Sequence, residues 1–193
     1  MQKPHLDVAI VIANRYRFNR PSPLAGAFDV YRQPHLVYNA AMNQQQTTTL
    51  AKRVEQEFLP FVRRPSRYIG GEINQIKKDL SQCDLTVALC FPDIYEVAMS
   101  NTGLAIIYDI LNRIDGVAAE RIFAPWLDAE EIMRQKEIPL FSLESKAALR
   151  SFDIVGFSLT NELCYTNVLN MLDLGGVNVR SSLRAEDLSL IHI

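Results

Sequence analysis

Histidine and cysteine are scarce in this sequence, with three of each among 193 residues. Cys83, Cys90 and Cys164 are an odd and scattered set, which does not form a disulfide framework. They lack the close pairs of a zinc site and the C-x-x-x-C-x-x-C spacing that holds an iron–sulfur cluster. No serine or cysteine stands in a recognisable nucleophile setting with a usable histidine. We therefore expect buried or half-buried thiols, no metal ligands and no catalytic residues.

Long apolar runs and an excess of one charge are also absent. The chain has 20 basic and 22 acidic residues, which gives no sign of nucleic-acid binding. No apolar run approaches the roughly 20 residues that span a bilayer. The short apolar stretch before Ala13 is too mixed for a signal peptide. We expect a cytoplasmic protein without membrane contact. Since neither G-x-G-x-x-G nor a Walker A sequence occurs, the usual nucleotide-binding loops are missing.

Strands and helices alternate over the second half of the chain. Residues 85–91 form a nearly continuous apolar run, typical of a strand covered on both faces. Further strands are predicted at 119–124, 139–143 and 153–159, and a fifth begins at 177–179. Helices are predicted at 100–114, from Asp128 with Glu131 completing a capping box, near 146–150 and from Asn161. This alternation predicts an α/β fold: a Rossmann-like parallel sheet, flavodoxin-like or cobalamin-binding-like, with helices on both faces.

We divide the chain into four segments. Residues 1–41 show no periodicity and are either an N-terminal extension or sequence upstream of a true start at Met42. Residues 42–84 are a helical lead-in with an apolar stripe through Val54 and Phe58. Residues 85–187 are the α/β domain, truncated at its C-terminus. Residues 188–193 match a translated transposase mosaic end, which predicts a sequencing-adapter scar.

Ligands of such sheets bind at the carboxyl ends of the strands, and this position selects the candidate residues. The first group follows residue 91 and offers ligand contacts, a docking surface or ordinary turn chemistry. The second lies at a helix start, where free N–H groups favour an anion, although Ser100 is equally explained as a helix cap. The third follows the fourth strand, where Glu162 is also simply favourable at a helix start. Together the candidates are Asp93, Tyr95, Glu96, Ser100, Thr102, Gly103, Ser158, Thr160 and Glu162.

Five ordered blocks carry a family resemblance. They are residues 64–72 (RPSRYIGGE), 91–100 (FPDIYEVAMS), 120–126 (ERIFAPW), 139–145 (PLFSLES) and 152–172 (FDIVGFSLTNELCYTNVLNML). With them the chain resembles the N-terminal part of the B12-binding-domain radical SAM protein family. The resemblance implies a large parent protein, in which a cobalamin-binding-like domain precedes a radical SAM barrel. That barrel holds a [4Fe–4S] cluster on three cysteines and binds S-adenosylmethionine.

The resemblance implies that this fragment is not catalytic alone and that its partner is the missing barrel of the same chain. One departure from the family's sequence pattern concerns how cobalamin could bind. In cobalamin-binding domains an Asp-x-His-x-x-Gly loop supplies a histidine to cobalt, but here Tyr95 follows Asp93 at the histidine position. Cobalamin is therefore expected, if at all, without a histidine ligand. The alternative is a cofactor-free interaction module that positions the barrel or its substrate, with Trp126 either an interface anchor or a core residue.

Overall fold

The fold is a five-stranded sheet with helices on both faces. A computed structural model describes residues 8–14, 49–180 and 188–192. The strands are β1 (Val8–Asn14), β2 (Leu85–Phe91), β3 (Val117–Phe123), β4 (Ile154–Leu159) and β5 (Leu188–His192). The helices are α1 (49–53, continued as a π-helix over Val54–Phe58), α2 (Ser66–Ile69), α3 (Tyr95–Met99), α4 (Thr102–Asn112), α5 (Leu127–Gln135) and α6 (Tyr165–Leu174).

The strand order is β3-β2-β4-β1-β5. β2 pairs in parallel with β3 and with β4, so that it has neighbours on both edges and helices on both faces. This position explains the continuous apolar run of β2, which is buried from Thr86 to Phe91. β1 pairs antiparallel with β4 and β5. The predicted α/β, Rossmann-like fold is confirmed in the three parallel strands and their helices.

Two apolar cores lie on opposite faces of the sheet. One face of β2 and β4, including Cys90 and Phe157, packs against α1, α5 and α6. The other face of β2, including Leu89, packs against Leu104 and Tyr108 of α4. Asp153 fixes the start of β4 to β2, because its Oδ2 accepts hydrogen bonds from the backbone N–H (2.8 Å) and hydroxyl (2.6 Å) of Thr86.

The predicted third strand, 139–143, is wrong. Its backbone groups bond to several different segments: Leu140 N–H to Leu174 O, Ser142 N–H to Ala147 O and Leu143 N–H to Arg121 O. The segment therefore folds back on itself beside β3, with a single bridge between Phe141 and Ala148. A 3₁₀ turn at Leu149–Ser151 replaces the helix predicted near 146–150.

The fifth strand predicted at 177–179 is also wrong, because these residues join no ladder in the described part of the chain. The N–H of Val177 instead closes the end of α6 on Leu172 O, at 2.8 Å. The four predicted segments remain a prediction. Parts of the first and the last, Val8–Asn14 and Leu188–His192, lie in the sheet as β1 and β5. Among the described residues, no helix is long and apolar enough to cross a membrane.

Candidate functional site

The carboxyl ends of β2, β3 and β4 lie at one edge of the sheet, where the loops that follow them meet. β2 lies between β3 and β4 in the sheet, so the chain passes from β2 to its neighbour on one edge, β3, and then to its neighbour on the other edge, β4. The change of direction lies between β2 and β4, the place where open α/β sheets bind ligands. Asn167 connects helix α6 to the loop after β2 there, because its Nδ2 donates to Pro92 O at 2.9 Å.

The predicted group after β2 is held by internal contacts. Asp93 Oδ1 accepts from the N–H of Ile94 at 2.7 Å, which is turn chemistry. The Tyr95 hydroxyl donates to Glu72 Oε1 at 3.1 Å, and burial together with the Glu72 carboxylate raises the pKa of Tyr95. Glu96 pairs with Arg67 at 2.9 Å and with Arg64 at 3.3 Å.

The predicted group after β4 is more open. Ser158 is half-buried in the strand, whereas Thr160 and Glu162 are exposed. The Asn161 side chain accepts from Leu163 N–H at 3.0 Å and so begins the 3₁₀ turn Glu162–Cys164 that leads into α6. The structure therefore brings these residues to the same edge as the loop after β2, with exposed polar groups facing solvent.

The predicted group at the helix start needs a correction. Asn101, not Ser100, caps α4, because Asn101 Oδ1 accepts from Leu104 N–H at 2.8 Å. Ser100 ends α3 and donates to Val97 O at 2.7 Å. Thr102 and Gly103 form the exposed first turn of α4. A similar error affects α5: Trp126 is the N-cap without a side-chain bond, and Asp128 accepts from Arg63 N–H instead of capping.

A buried charged cluster, which the sequence patterns did not predict, lies in β3 and the segment beside it. Arg121, with its side chain 3% exposed, donates from Nε to Glu144 Oε1 at 2.7 Å, and its backbone N–H donates to Oε2 at 2.7 Å. Its guanidinium lies 4.4 Å from the centre of the Tyr108 ring. Arg121 Nη2 lies 3.6 Å from Glu72 Oε2, and Glu72 also receives the Tyr95 hydrogen bond.

Burial controls the protonation of this cluster. Desolvation raises the pKa of Glu144 to about 7, although the Arg121 guanidinium opposes the shift. Burial also raises the pKa of Glu120, whose Oε2 accepts from the Ser145 hydroxyl at 2.7 Å. Burial lowers the pKa of Lys146, whose Nζ donates to Leu143 O at 2.6 Å and Ile69 O at 2.9 Å. The cluster thus ties residues 69–72 to β3 and the segment beside it.

The cluster lies beside a small cavity at the ends of β2 and β3. Its volume is about 20 Å³, enough for a water-sized molecule but not for a cofactor. On its rim, Arg67 lies 5.3 Å from the centre of the Trp126 ring, and the Tyr68 hydroxyl accepts from Trp126 N–H at 3.1 Å. The lining residues are Arg67, Tyr68, Tyr95, Arg121, Phe123, Ala124, Met133, Leu140, Phe141 and Leu143.

One sequence signal could have revealed the cluster. Glu120 and Arg121 stand side by side within a strand that is otherwise apolar, and both are 2% exposed. Charged residues are almost never buried unless they are paired. Two adjacent charged residues in a buried strand therefore predict that oppositely charged partners are buried beside them. The partners Glu72 and Glu144 lie in two separate blocks of the family resemblance, 64–72 and 139–145.

Other expectations concern single residues and metals. Trp126 is 44% exposed, so it is a surface residue and not a core residue. Cys83, Cys90 and Cys164 are buried free thiols. Burial raises the pKa of Cys90, which keeps it protonated. Among the residues whose side chains are described, no group of histidine, cysteine and carboxylate side chains could hold a metal ion.

Comparison with known proteins gives one family match. Residues 103–193 match the family described as radical SAM proteins, N-terminal. No curated protein and no solved structure matches the chain. The matched segment includes α4, β3, α5, β4 and α6, and hence the third group of candidate residues and the Arg121–Glu144 pair.

Proposed function

We propose that this chain is the N-terminal α/β domain of a radical SAM protein and that it positions the part of the parent protein that carries the iron–sulfur cluster. The observation that carries the proposal is the extent of the family match. Residues 103–193 include two parallel strands and three helices, so the similarity covers much of a folded domain and not a short motif.

The chain's own residues support a role in binding rather than in radical chemistry. That chemistry needs a [4Fe–4S] cluster held by three cysteines, which reductively cleaves S-adenosylmethionine. The three cysteines of this chain are buried and far apart in sequence. The cluster and S-adenosylmethionine therefore belong to another part of the parent protein.

The carboxyl edge of the sheet offers a surface for that partner. Behind the edge, the buried charged cluster lies beside the small cavity at the ends of β2 and β3. In front of it, the loops after β3 and β4 expose large apolar and aromatic side chains, which are typical of interface centres. These are Trp126, Leu127, Leu163 and Tyr165, of which Leu163 is 86% exposed.

Separate purification of the two parts of the parent protein tests this role. We expect the cluster-bearing part to bind this chain in isothermal titration calorimetry, and Leu163→Asp to weaken binding about tenfold or more. Ile73→Asp is the matched control, since Ile73 is fully exposed outside these loops. Absence of binding, or equal effects of both substitutions, would contradict the proposal.

Cobalamin binding is the second candidate, favoured by the position of the loop after β2 and the start of α6 at the edge between β2 and β4, where open α/β sheets bind ligands. The cavity at the ends of β2 and β3, of about 20 Å³, does not fit a nucleotide tail, since ligand pockets measure roughly several hundred. At the edge between β2 and β4, a bound cobalamin would meet the exposed Thr160 and Glu162, and Tyr95 stands in place of a histidine ligand.

Spectroscopy separates the two candidates. Titration of the chain with hydroxocobalamin should change its absorption spectrum only if cobalamin binds. Electron paramagnetic resonance of the reduced cob(II)alamin should then show no nitrogen splitting from a protein imidazole. Such splitting would exclude cobalamin bound without a histidine ligand. If cobalamin does not bind at all, the interaction module remains as the proposed function.

A further inference from the structure

The exposed ring of Trp126 is contacted by a part of the chain that lies far from it in sequence. Trp126 is the only tryptophan of the chain, follows Pro125 and is the N-cap residue of α5. It belongs to the surface proposed to meet the cluster-bearing part of the parent protein. An exposed side chain ordinarily changes rotamer within picoseconds to nanoseconds. The contacts that restrain this ring therefore determine how the surface is presented to a partner.

The chain around α2 contacts the start of α5 at three points. The Tyr68 hydroxyl accepts from the backbone N–H of Trp126 at 3.1 Å. The backbone N–H of Arg63 donates to Asp128 Oδ2 at 2.7 Å. The third contact is a cation–π interaction, in which the Arg67 guanidinium lies 5.3 Å from the centre of the Trp126 ring. The two hydrogen bonds fix the turn at the start of α5, whereas Arg67 contacts the ring itself.

Arg67 is itself held in place. Its side chain is only 10% exposed, and its Nε donates to Glu96 Oε1 at 2.9 Å. Glu96 lies on α3, so Arg67 connects the helix after β2 with the start of α5. A guanidinium is planar and can pair with a carboxylate while it stacks on an aromatic ring. Arg67 is therefore a restrained support for the Trp126 ring.

Arg64 offers a matched comparison with Arg67. Its Nη1 donates to the same oxygen, Glu96 Oε1, at 3.3 Å, but its side chain is 67% exposed. In the described part of the chain, the cation–π contact of the Trp126 ring is with Arg67 and not with Arg64. The two arginines thus share a carboxylate partner and differ in their contact with the ring.

We propose that Arg67 is a positioning residue, which holds the Trp126 ring in one orientation and so shapes the docking surface before a partner binds. The consequence for docking rests on the proposed function, because the partner is the cluster-bearing part of the parent protein. Ordering one side chain on binding weakens affinity about two- to tenfold. A ring that Arg67 already holds avoids most of that loss.

Fluorescence of Trp126 tests the positioning in the full chain alone, because no other tryptophan contributes. We expect the time-resolved anisotropy of the wild type to decay with the tumbling of the whole protein. Arg67→Met should add a component of about a nanosecond or faster, whereas Arg64→Met should add none. Circular dichroism checks that the variants fold, and Arg67→Gln replaces Arg67→Met if the latter does not. An unchanged decay without Arg67, or the same change without Arg64, would overturn the proposal.

Calorimetry with the cluster-bearing part tests the consequence for docking. Arg67→Met should weaken binding about two- to tenfold, but it should have no effect in a Trp126→Ala background, where there is no ring to position. A merely structural role of Arg67 would weaken binding equally in both backgrounds, and that result would overturn its role in docking. If the wild-type chain does not bind, the proposed function fails, while the anisotropy still decides whether Arg67 holds the ring.

Discussion

At the scale of single residues, the buried ion pair between Arg121 and Glu144 sets the character of the candidate site. Removing one partner of a buried pair leaves an uncompensated charge and costs about 3–5 kcal/mol. Glu144 keeps two hydrogen bonds from Arg121, yet burial still raises its pKa to about 7 from an ordinary value of 4.5. The carboxyl group therefore titrates near neutral pH in the folded protein.

This shift predicts a pH dependence of stability. Between pH 4.5 and 7 the folded protein holds the Glu144 proton while the unfolded chain releases it, so the free energy of unfolding falls as the pH rises. The loss is on the order of 3 kcal/mol. Glu144→Gln should flatten most of this slope in urea unfolding at several pH values, with Glu120 supplying the remainder. Glu131→Gln, on the exposed side of α5, is the control. An unchanged slope in Glu144→Gln would refute the assignment.

Two neighbouring glycines offer a matched test of backbone strain and packing. Gly70 and Gly71 both have positive φ angles, of 76° and 91°. An alanine Cβ at Gly70 would lie 2.5 Å from Leu143 O, whereas one at Gly71 would meet nothing within 4 Å. We expect Gly71→Ala to cost about 1–2 kcal/mol from the left-handed backbone alone. Gly70→Ala should cost more, because it also pushes residues 69–72 away from Lys146. Equal losses in urea unfolding would show that the contact does not matter.

At the scale of elements, the stability of α4 distinguishes which of two neighbouring residues is its N-cap. Asn101 caps the helix, and the neighbouring Ser100 belongs to the end of α3. Loss of an N-cap side chain costs about 1 kcal/mol. Asn101→Ala should therefore lower the free energy of unfolding by about that amount, and Ser100→Ala should change it much less. If urea unfolding showed a larger loss of stability for Ser100→Ala than for Asn101→Ala, Ser100 would be the cap.

At the scale of the whole molecule, β1 changes which parts of the chain are expected to stabilise the fold. The sequence predicts that residues 42–187 alone unfold at nearly the same denaturant midpoint as the full chain, because the ends show no pattern that would pair them with the rest of the fold. The strand pairing in the structure leads to a different expectation, since β1 pairs with β4 from Val8 to Ala13 and also pairs with β5. We expect removal of residues 1–14 to lower the midpoint clearly, and removal of 188–193 to lower it less. Equal midpoints would favour the sequence-based expectation.

The chemistry of the whole chain is tested by anaerobic reconstitution with iron and sulfide. Because its cysteines are buried and lack the required spacing, the chain should assemble no stable [4Fe–4S] cluster and should not cleave S-adenosylmethionine. Absorption spectroscopy measures cluster formation, and chromatography measures the cleavage of S-adenosylmethionine. A stable cluster with cleavage activity would contradict the proposal that this chain binds and carries no radical chemistry of its own.

The sequence by itself determined the parallel half of the sheet. Residues 85–91 are apolar apart from Thr86 because β2 has neighbours on both edges and helices on both faces, and such a run can be recognised from the sequence. β3, β4, α4 and α6 follow for the same reason, as their buried faces leave periodic patterns. The blocks of resemblance likewise led to the radical SAM proteins, which the match over residues 103–193 supports.

Only the tertiary structure decided how the candidate site is built. Turn and cap positions depend on single hydrogen bonds, so Asn101 could not be told from Ser100 by composition. The predicted strands at 139–143 and 177–179 failed because a short apolar segment becomes a strand only where a neighbouring strand accepts its backbone. Glu72, Arg121 and Glu144 lie far apart in sequence, and their charges interact only when folding buries them side by side.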